Sequence, residues 1–483
     1  MADPVADPVA DSPLAADRQA RRLAQTDFAR PLVLEAGAGT GKTTTLVARV
    51  LAWCLGPGWV RHQERLEEER KRLGRRRETS GEEIAAATLG RVVAITFTEA
   101  AAAEMAERVA QELARLAQAA AEPPAWLVAE LPPAGERACR AGALLATLDH
   151  LVVRTIHAFC RGLLAAHPLE ARLHPELTID PEGLRVEEVA RETVETALRG
   201  AYVGRTAAAD DPFLALAVAG HGPQKLIEAL VTLVQAGVPA DGLDEDPTSP
   251  ARVAALRGRI ATAAARLHAL LAPHAGSLKH NAGKLLTALT GLGDRLGQDL
   301  PSILATLAED FPDPGKGLFN QLAKWRAGDF NKSEQAVLAA SAAEISAAAA
   351  DLRAVLRHAG RLDPELLALA HRALGPLLRT VRRELRGRGV VTFEDLLAEA
   401  ARLLATRGDV AARERARIDQ LLVDEFQDTD LLQCEIVARL ALDGPAERRP
   451  GLFLVGDPKQ SIYGWRSADL GAYDGFLDSV LGA

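Results

Sequence analysis

The sequence predicts an α/β protein with a parallel sheet and a large all-α domain inserted into it. Short apolar runs with strand-like composition occur at 31–34, 92–96, 151–154, 420–423 and 452–455. The runs that can be assigned as strands are followed by loops or helix-like patterns. This alternation is typical of a parallel α/β sheet. Between residues 170 and 385 such runs give way to Ala/Leu/Arg patterns with helical spacing, as at Leu256, Ile260 and Leu267.

Bulk composition fits a multidomain globular protein. The chain has 483 residues, with 48% hydrophobic and 25% charged residues, and this length allows about two to four domains. Acidic residues and prolines fill the N-terminal stretch in place of a secretory signal, and no run reaches the roughly 18 apolar residues of a membrane span. We therefore expect a cytoplasmic protein without membrane contact. The four cysteines lack the paired spacing of a zinc or redox site.

The expected domain boundaries follow from these patterns. Residues 1–16 are expected to form a flexible tail, and residues 17–169 together with 386–483 a discontinuous α/β lobe. Residues 170–385 are expected to form the helical insertion, in which the leucine stripe packs the core. Because ligands of parallel sheets bind beyond the carboxyl ends of the strands, the functional residues should lie on the loops that follow the apolar runs.

A glycine-rich loop follows the first run and precedes a helical pattern, which is the setting of a P-loop. Small residues let backbone N–H groups surround phosphate oxygens at the positive end of a helix. Lys42 can reach the β and γ phosphates, and the Thr43 hydroxyl can bind Mg²⁺. The predicted nucleotide-binding residues of this loop are Ala36, Gly37, Ala38, Gly39, Thr40, Gly41, Lys42, Thr43 and Thr44. Ala36 stands where the general pattern has glycine.

Two adjacent carboxylates end the apolar run at 420–423. Asp424 can hold the Mg²⁺ that bridges the phosphates, and Glu425 can orient or deprotonate the attacking water. An Asp-Glu pair alone would more often be a solvated turn. Together with the P-loop it predicts an ATP-hydrolysing site.

At this point the chain resembles superfamily one DNA helicases of the UvrD/Rep type, on six segments in the family's order. The resemblance implies a P-loop NTPase lobe with a RecA-like sheet. The P-loop and the Asp424-Glu425 segment are two of the six. Upstream, the run Asp17 to Ala24 is similar to the family's glutamine motif, in which Gln19 would pair with the adenine edge.

Two further segments resemble those that contact single-stranded DNA. In the first, 94–105, Thr96 and Thr98 would bond phosphates and Phe97 would pack below a base. In the second, 154–160, Thr155 and His157 would approach the backbone. The stretch 391–397 resembles the family's lead-in to the Asp424 strand and is interpreted as structural. A basic run at 61–77 is interpreted first as a solvated helix and second as a DNA-phosphate contact.

The sixth segment, 455–466, combines a polar residue with aromatic ones. By resemblance, Gln460 contacts the γ-phosphate, and Tyr463 and Trp465 stack on DNA bases. Arg466, at the ATP site, helps to link the γ-phosphate contact with the stacking on DNA. Base stacking suits a motor that ignores sequence, because every base has a π-face.

Details of three segments favour the RecB/AddA branch, whose members are helicase subunits of ATP-dependent exonucleases. The resemblance then implies a 3′-to-5′ ATP-dependent helicase or translocase of recombinational repair, with ATP and Mg²⁺ as cofactors. Its expected partners are single- and double-stranded DNA and a second helicase-nuclease subunit. Only about seventeen residues follow Arg466. We therefore expect an incomplete chain without the second RecA-like lobe or a nuclease domain, as a fragment, a truncated product or part of a split motor.

Two other functions remain open from the sequence. The chain can be a nucleotide- and DNA-binding module that does not unwind DNA by itself, which the expected lack of a second lobe favours. It can also be a P-loop ATPase of unrelated purpose, against which the ordered segments argue.

Overall fold

The computed structural model describes residues 13–37, 39–74, 78–202, 211–312, 317–457 and 476. The chain divides into two units. One comprises Met1–Pro181 and Val391–Ala483, and the other comprises Glu182–Val390.

A five-stranded sheet forms the centre of the first unit. Its order is β1-β7-β6-β2-β3, and every neighbouring pair is parallel. The described strands are β1 (Leu32–Glu35), β2 (Val92–Thr96), β3 (Val152–Thr155), β4 (Thr178–Ile179), β5 (Val390–Val391), β6 (Gln420–Val423) and β7 (Gly451–Gly456). The short strands β4 and β5 form a separate two-stranded sheet. The predicted parallel sheet is confirmed, and each predicted run lies within one residue of its strand.

Both faces of the five-stranded sheet are buried. Successive side chains of a strand point to opposite faces, and in β7 Leu452 and Leu454 join one hydrophobic cluster while Phe453 and Val455 join the other. Continuous apolar runs, without polar alternation, are what a sheet covered on both sides requires.

Helices cover these two faces. The helices of the first unit are α1 (Pro13–Thr26), α2 (Lys42–Leu55), α3 (Pro57–Arg72), α4 (Gly81–Leu89), α5 (Glu99–Leu116), α6 (Ala134–Ala146), α7 (Ile156–Ala166) and α8 (Pro168–Ala171), with α20 (Phe393–Thr406), α21 (Gly408–Arg415) and α22 (Leu431–Ala441) after the second unit. Buried residues of α2, α4, α5 and α6 pack on one face, and those of α7, α20, α21 and α22 on the other. Helix α1 begins inside the stretch that was expected to be a tail.

The second unit is helical in the part that the structure describes, apart from Val390 in β5. Its helices are α9 (Leu184–Tyr202), α10 (Pro212–Val218), α11 (Pro223–Gln235), α12 (Pro250–Leu271), α13 (His280–Leu289), α14 (Leu292–Arg295), α15 (Leu300–Asp310), α16 (Gly317–Arg326), α17 (Lys332–Leu338), α18 (Ala342–Ala359) and α19 (Pro364–Gly387). Ile260 and Leu267 are fully buried, so the leucine stripe of α12 packs the core as predicted. That these helices form an independent inserted domain stays a prediction.

The basic run lies on α3 as far as Arg72, and residues 75–77 fall outside the described part. Arg61, Arg65 and Lys71 are exposed on this helix. Among the described helices, none is long and apolar enough to cross a lipid bilayer.

Candidate ATP and DNA site

The P-loop and the paired carboxylates meet at the carboxyl edge of the sheet. Strand β7 separates β1 from β6, so the segments that follow these three strands lie side by side. The Lys42 Nζ donates a hydrogen bond of 2.8 Å to Glu425 Oε2, across 383 residues of sequence. The structure therefore brings together Lys42 and Glu425, two residues that the sequence predicted for one site.

Backbone geometry explains the glycines of the loop. Gly39 and Gly41 have φ angles of 73° and 94°, a region that residues with a Cβ rarely adopt. Gly41 is the N-cap of α2 and offers no side-chain cap, so the first-turn N–H groups of α2 can serve an anion. The N–H of Ala36 donates to Gly456 O at 3.1 Å, which ties the start of the loop to β7.

Glu425 has a strained backbone. Its φ and ψ of 50° and 42° lie in the left-handed region, which costs a residue with a Cβ about 1–2 kcal/mol. Such strain at the end of a strand turns the chain sharply and aims the side chain at Lys42. No sequence pattern indicated this conformation, because glutamate rarely adopts it.

Burial raises the pKa of Asp424 to about 6, and the neighbouring charge of Glu425 adds to the shift. The Glu425 N–H, which donates to Asp424 Oδ1 at 3.0 Å, and the Lys42 charge act in the opposite direction. Burial and Glu425 also raise the pKa of Asp428, whose Oδ1 is buried without a hydrogen-bond partner among the described residues. The edge therefore holds more negative charge than Lys42 alone offsets.

A Mg²⁺ ion fits this excess of negative charge. The Thr43 hydroxyl and the Asp424 carboxylate are oxygen donors of the kind that Mg²⁺ prefers. In the described residues no three His, Cys, Asp or Glu side chains are grouped to hold a metal by themselves. A Mg²⁺ ion here would therefore be shared with nucleotide phosphates and water, as is usual for this ion.

Gln427 supports Glu425 from the other side. Its Nε2 donates to Glu425 Oε2 at 2.8 Å, and its Oε1 accepts from the N–H of Asp457 at 2.8 Å. The side chain is only 3% exposed. Gln427 thus bridges the predicted catalytic carboxylate and the end of β7. The sequence motifs did not single it out, although it lies in the same run as Asp424 and Glu425.

The first predicted DNA segment begins at the end of β2. Thr96 is 2% exposed, and its hydroxyl donates to Thr98 O at 3.1 Å. Thr98 is the N-cap of α5 and accepts from the Ala101 N–H. Phe97 is half-buried between them. Both hydroxyls therefore already have structural roles, and their contact with DNA stays a prediction.

The second DNA segment lies next to the first because β2 and β3 are neighbours. Thr155 caps α7 and donates to Glu99 Oε1 at 2.9 Å, which joins the two segments directly. The His157 ring packs edge-on against Phe393, with 5.2 Å between ring centroids. Burial lowers the pKa of His157, against the opposing charge of Asp430. A neutral imidazole can hydrogen-bond to a phosphate, but it brings no positive charge.

Several predicted residues lie outside the described part of the chain: Ala38, Gln460, Tyr463, Trp465 and Arg466. Gln19 is exposed on α1. The stretch 391–397 has the structural role that was predicted for it, since Thr392 and Asp395 form a capping box at the start of α20.

Comparison with known proteins identifies a family and several relatives. The UvrD/REP helicase N-terminal domain family matches residues 17–480. An ATP-dependent helicase/nuclease subunit of Moorella thermoacetica is 27% identical over 478 residues, which cover 91% of this chain and 30% of that protein. The protein of the same description from Geobacillus thermodenitrificans is 27% identical over 91% of this chain and 35% of its own length.

A shorter match is to a RecB protein. The RecBCD enzyme subunit RecB of Escherichia coli is 42% identical over 104 residues, or 21% of this chain and 9% of that protein. The chain spans about a third of the length of the helicase/nuclease subunits that it matches. Because the family match covers nearly the whole sequence, and the P-loop and the Asp424-Glu425 pair meet at one edge, the chain belongs to the UvrD/REP helicase N-terminal domain family.

Proposed function

We propose that this chain forms the ATP-hydrolysing lobe of a DNA helicase or translocase of the UvrD, AddA and RecB type. The observation that carries the proposal is the contact of Lys42 with Glu425 at the carboxyl edge of a parallel sheet. A P-loop lysine beside a carboxylate at this edge is the arrangement that phosphoryl transfer to water needs. Membership in the helicase family indicates that the hydrolysis drives movement along DNA or strand separation.

Each residue then has a distinct task. The N–H groups of the P-loop bind the phosphates, and Lys42 exchanges its contact with Glu425 for one with the β and γ oxygens. Asp424 and Thr43 would hold Mg²⁺, which would neutralise charge on the phosphates. Glu425 orients and deprotonates the attacking water. Gln460 would sense the γ-phosphate, and Gln19 would bind the adenine.

DNA would track across the segments that follow β2 and β3. Thr96, Phe97, Thr98, Thr155 and His157 would contact one strand, and Tyr463 and Trp465 would stack on its bases. We infer 3′-to-5′ movement in recombinational repair in the cytoplasm, where the partner would be a second helicase-nuclease subunit. The support for this finer proposal is the family resemblance together with the names of the relatives, which are helicase/nuclease subunits and RecB.

A second candidate is a nucleotide- and DNA-binding module that does not unwind DNA by itself. It applies to a polypeptide of these 483 residues by itself, which spans about a third of the length of its longer relatives. The two functions share the nucleotide site and differ in turnover.

The central test replaces Lys42 by alanine in a longer protein that contains this chain. Loss of a charge-assisted contact in a preorganised site should lower the ATP hydrolysis rate by about 10²- to 10³-fold. Lys284→Ala, at an exposed position of α13, is the matched loss of charge and should leave the hydrolysis rate unchanged. A normal rate for the folded Lys42→Ala variant would show that the P-loop assignment is wrong.

A further inference from the structure

An arginine of the predicted glutamine motif, for which no role was predicted, lies beside the P-loop. Arg21 is on α1, and its Nη1 is 3.9 Å from the point where a Cβ on Gly41 would stand. The Thr44 Cβ is 3.8 Å from the same point. The guanidinium therefore lies at the first turn of α2, where the phosphates of a bound nucleotide would be.

Helix α1 is held firmly in this place. One turn after Arg21, the buried Gln25 donates to Trp126 O and accepts from the Val128 N–H, both at 2.8 Å. The fully buried Arg49 of α2 donates to Ala24 O at 2.7 Å. Because these contacts fix α1 against α2, the backbone of Arg21 is held next to the P-loop by packing.

The charge of Arg21 is only partly offset. Its Nε donates to Asp17 Oδ2 at 2.8 Å, in an i,i+4 pair whose arginine is 38% exposed. Exposed pairs of this kind stabilise a helix by only about 0.3–0.5 kcal/mol. On the other side is the positive end of α2, whose first turn has no acidic residue. An anion at the P-loop would therefore interact favourably with both Arg21 and this helix end.

We propose that Arg21 binds the α and β phosphates of the nucleotide. The proposal rests on the proposed function, since it takes the P-loop to be a nucleotide site. N–H groups of the loop surround the α and β phosphates, while the lysine reaches the β and γ phosphates. Arg21 lies beside the Gly41 and Thr44 end of that loop, and the planar guanidinium suits paired contacts with phosphate oxygens. Arg21 should therefore strengthen the binding of ATP and of ADP equally.

The test measures affinity and needs no turnover. A fluorescent ADP analogue is titrated into the 483-residue chain and then displaced by ATP, ADP or inorganic tripolyphosphate. Arg21→Ala should weaken all three ligands about tenfold, the scale of a lost charge-assisted hydrogen bond. The affinities of Arg21→Lys should lie between those of the unchanged chain and those of Arg21→Ala, because lysine keeps the charge without the planar guanidinium.

The matched control is Arg22→Ala. It removes the same charge from the same helix, but Arg22 pairs with the exposed Glu130 instead of approaching Gly41. It should bind all three ligands as the unchanged chain does. Asp17→Asn removes the competing partner of Arg21 and should leave affinity equal or tighter.

Each other outcome overturns the proposal. Unchanged affinity in folded Arg21→Ala shows that the guanidinium does not touch the nucleotide. Loss for ATP and ADP but not tripolyphosphate shows contact with the base or ribose, and loss for ATP alone shows contact with the γ-phosphate. If Asp17→Asn weakens binding as much as Arg21→Ala, the ion pair has a structural role only. If the unchanged chain binds none of the three ligands, the proposed function itself fails.

Discussion

Glu425 receives two hydrogen bonds on one oxygen from donors of different charge. Lys42 Nζ and Gln427 Nε2 both lie 2.8 Å from Oε2. A phosphate would compete with Glu425 for the ammonium of Lys42, but it would not compete for the neutral amide of Gln427. We infer that Gln427 keeps the carboxylate in place while Lys42 binds the nucleotide.

Replacement of Glu425 by glutamine should separate binding from chemistry. The amide keeps the size of the side chain but cannot accept a proton from water, so hydrolysis should fall by about 10²- to 10⁴-fold. The affinity for Mg²⁺-ATP should stay within about a factor of two or three, because the carboxylate acts on water and not on the nucleotide. Single-turnover hydrolysis and equilibrium binding measure the two effects. An equal loss of both would indicate that Glu425 binds the metal or supports the loop.

Gln427→Ala should slow hydrolysis with little effect on ADP affinity, by up to about 10²-fold if the carboxylate moves by an ångström. Gly456→Ala, at the end of β7, should reproduce this result, because its Cβ would lie 2.7 Å from Gln427 Oε1. The control is Gly135→Ala, whose Cβ would meet nothing within 4 Å. The kcat and KM of the three variants give the measurement. A normal kcat in folded Gln427→Ala would refute a positioning role.

Among the secondary-structure elements, four helices of the first unit begin with the same kind of N-cap. At the start of each helix a polar side chain accepts a hydrogen bond from a backbone N–H of the first turn. These side chains belong to Thr98 in α5, Thr155 in α7, Thr392 in α20 and Asp430 in α22. Loss of such a cap costs about 1 kcal/mol. Two of these caps, Thr98 and Thr155, are also predicted DNA contacts. Replacement of either threonine would therefore change DNA affinity and stability together.

Local patterns explain why the strands could be predicted from the sequence. Each apolar run is short, rich in residues that favour strands and bounded by small or polar residues, so its limits are encoded locally. The strand order is not, since the neighbours β1 and β7 are separated by more than 400 residues of sequence. The hydrogen bond from Lys42 to Glu425 and the bridge formed by Gln427 depend on that order, whereas the approach of Arg21 depends on the packing of α1 against α2. Resemblance to a family supplied the partners of Lys42, but it did not supply Gln427 or Arg21.

Across the whole molecule, long-range pairing shifts the boundaries between the two units. The sequence placed them at 169/170 and 385/386, where strand-like runs stop and resume. The contacts place them at Pro181 and Val391, because β4 pairs with β5 and Val391 of β5 stays with β4 in the first unit, whereas Val390 belongs to the second. These strands have only two residues each, which is too short for a periodic signal in sequence. The leucine stripes of the second unit do encode its helices, since helical spacing is a local property.

The last prediction concerns a polypeptide of these 483 residues by itself. The described site places Lys42, Asp424 and Glu425 on one sheet edge, and the family resemblance implies an arginine from an opposite lobe that offsets charge on the transferred phosphoryl group. Such an arginine raises rates by roughly 10³- to 10⁵-fold in related NTPases. We therefore expect weak binding of ATP and single-stranded DNA, with little stimulation of hydrolysis by DNA.

The measurement compares the ATPase rate of the purified chain with and without single-stranded DNA. A longer protein that contains this chain serves as the positive control, and the Lys42→Ala variant sets the background. DNA affinity should fall as salt rises, because phosphate contacts release counterions. Strong stimulation together with strand unwinding would show that these residues need no opposite lobe. No hydrolysis above background, together with measurable nucleotide binding, would favour the binding-module function for the isolated chain.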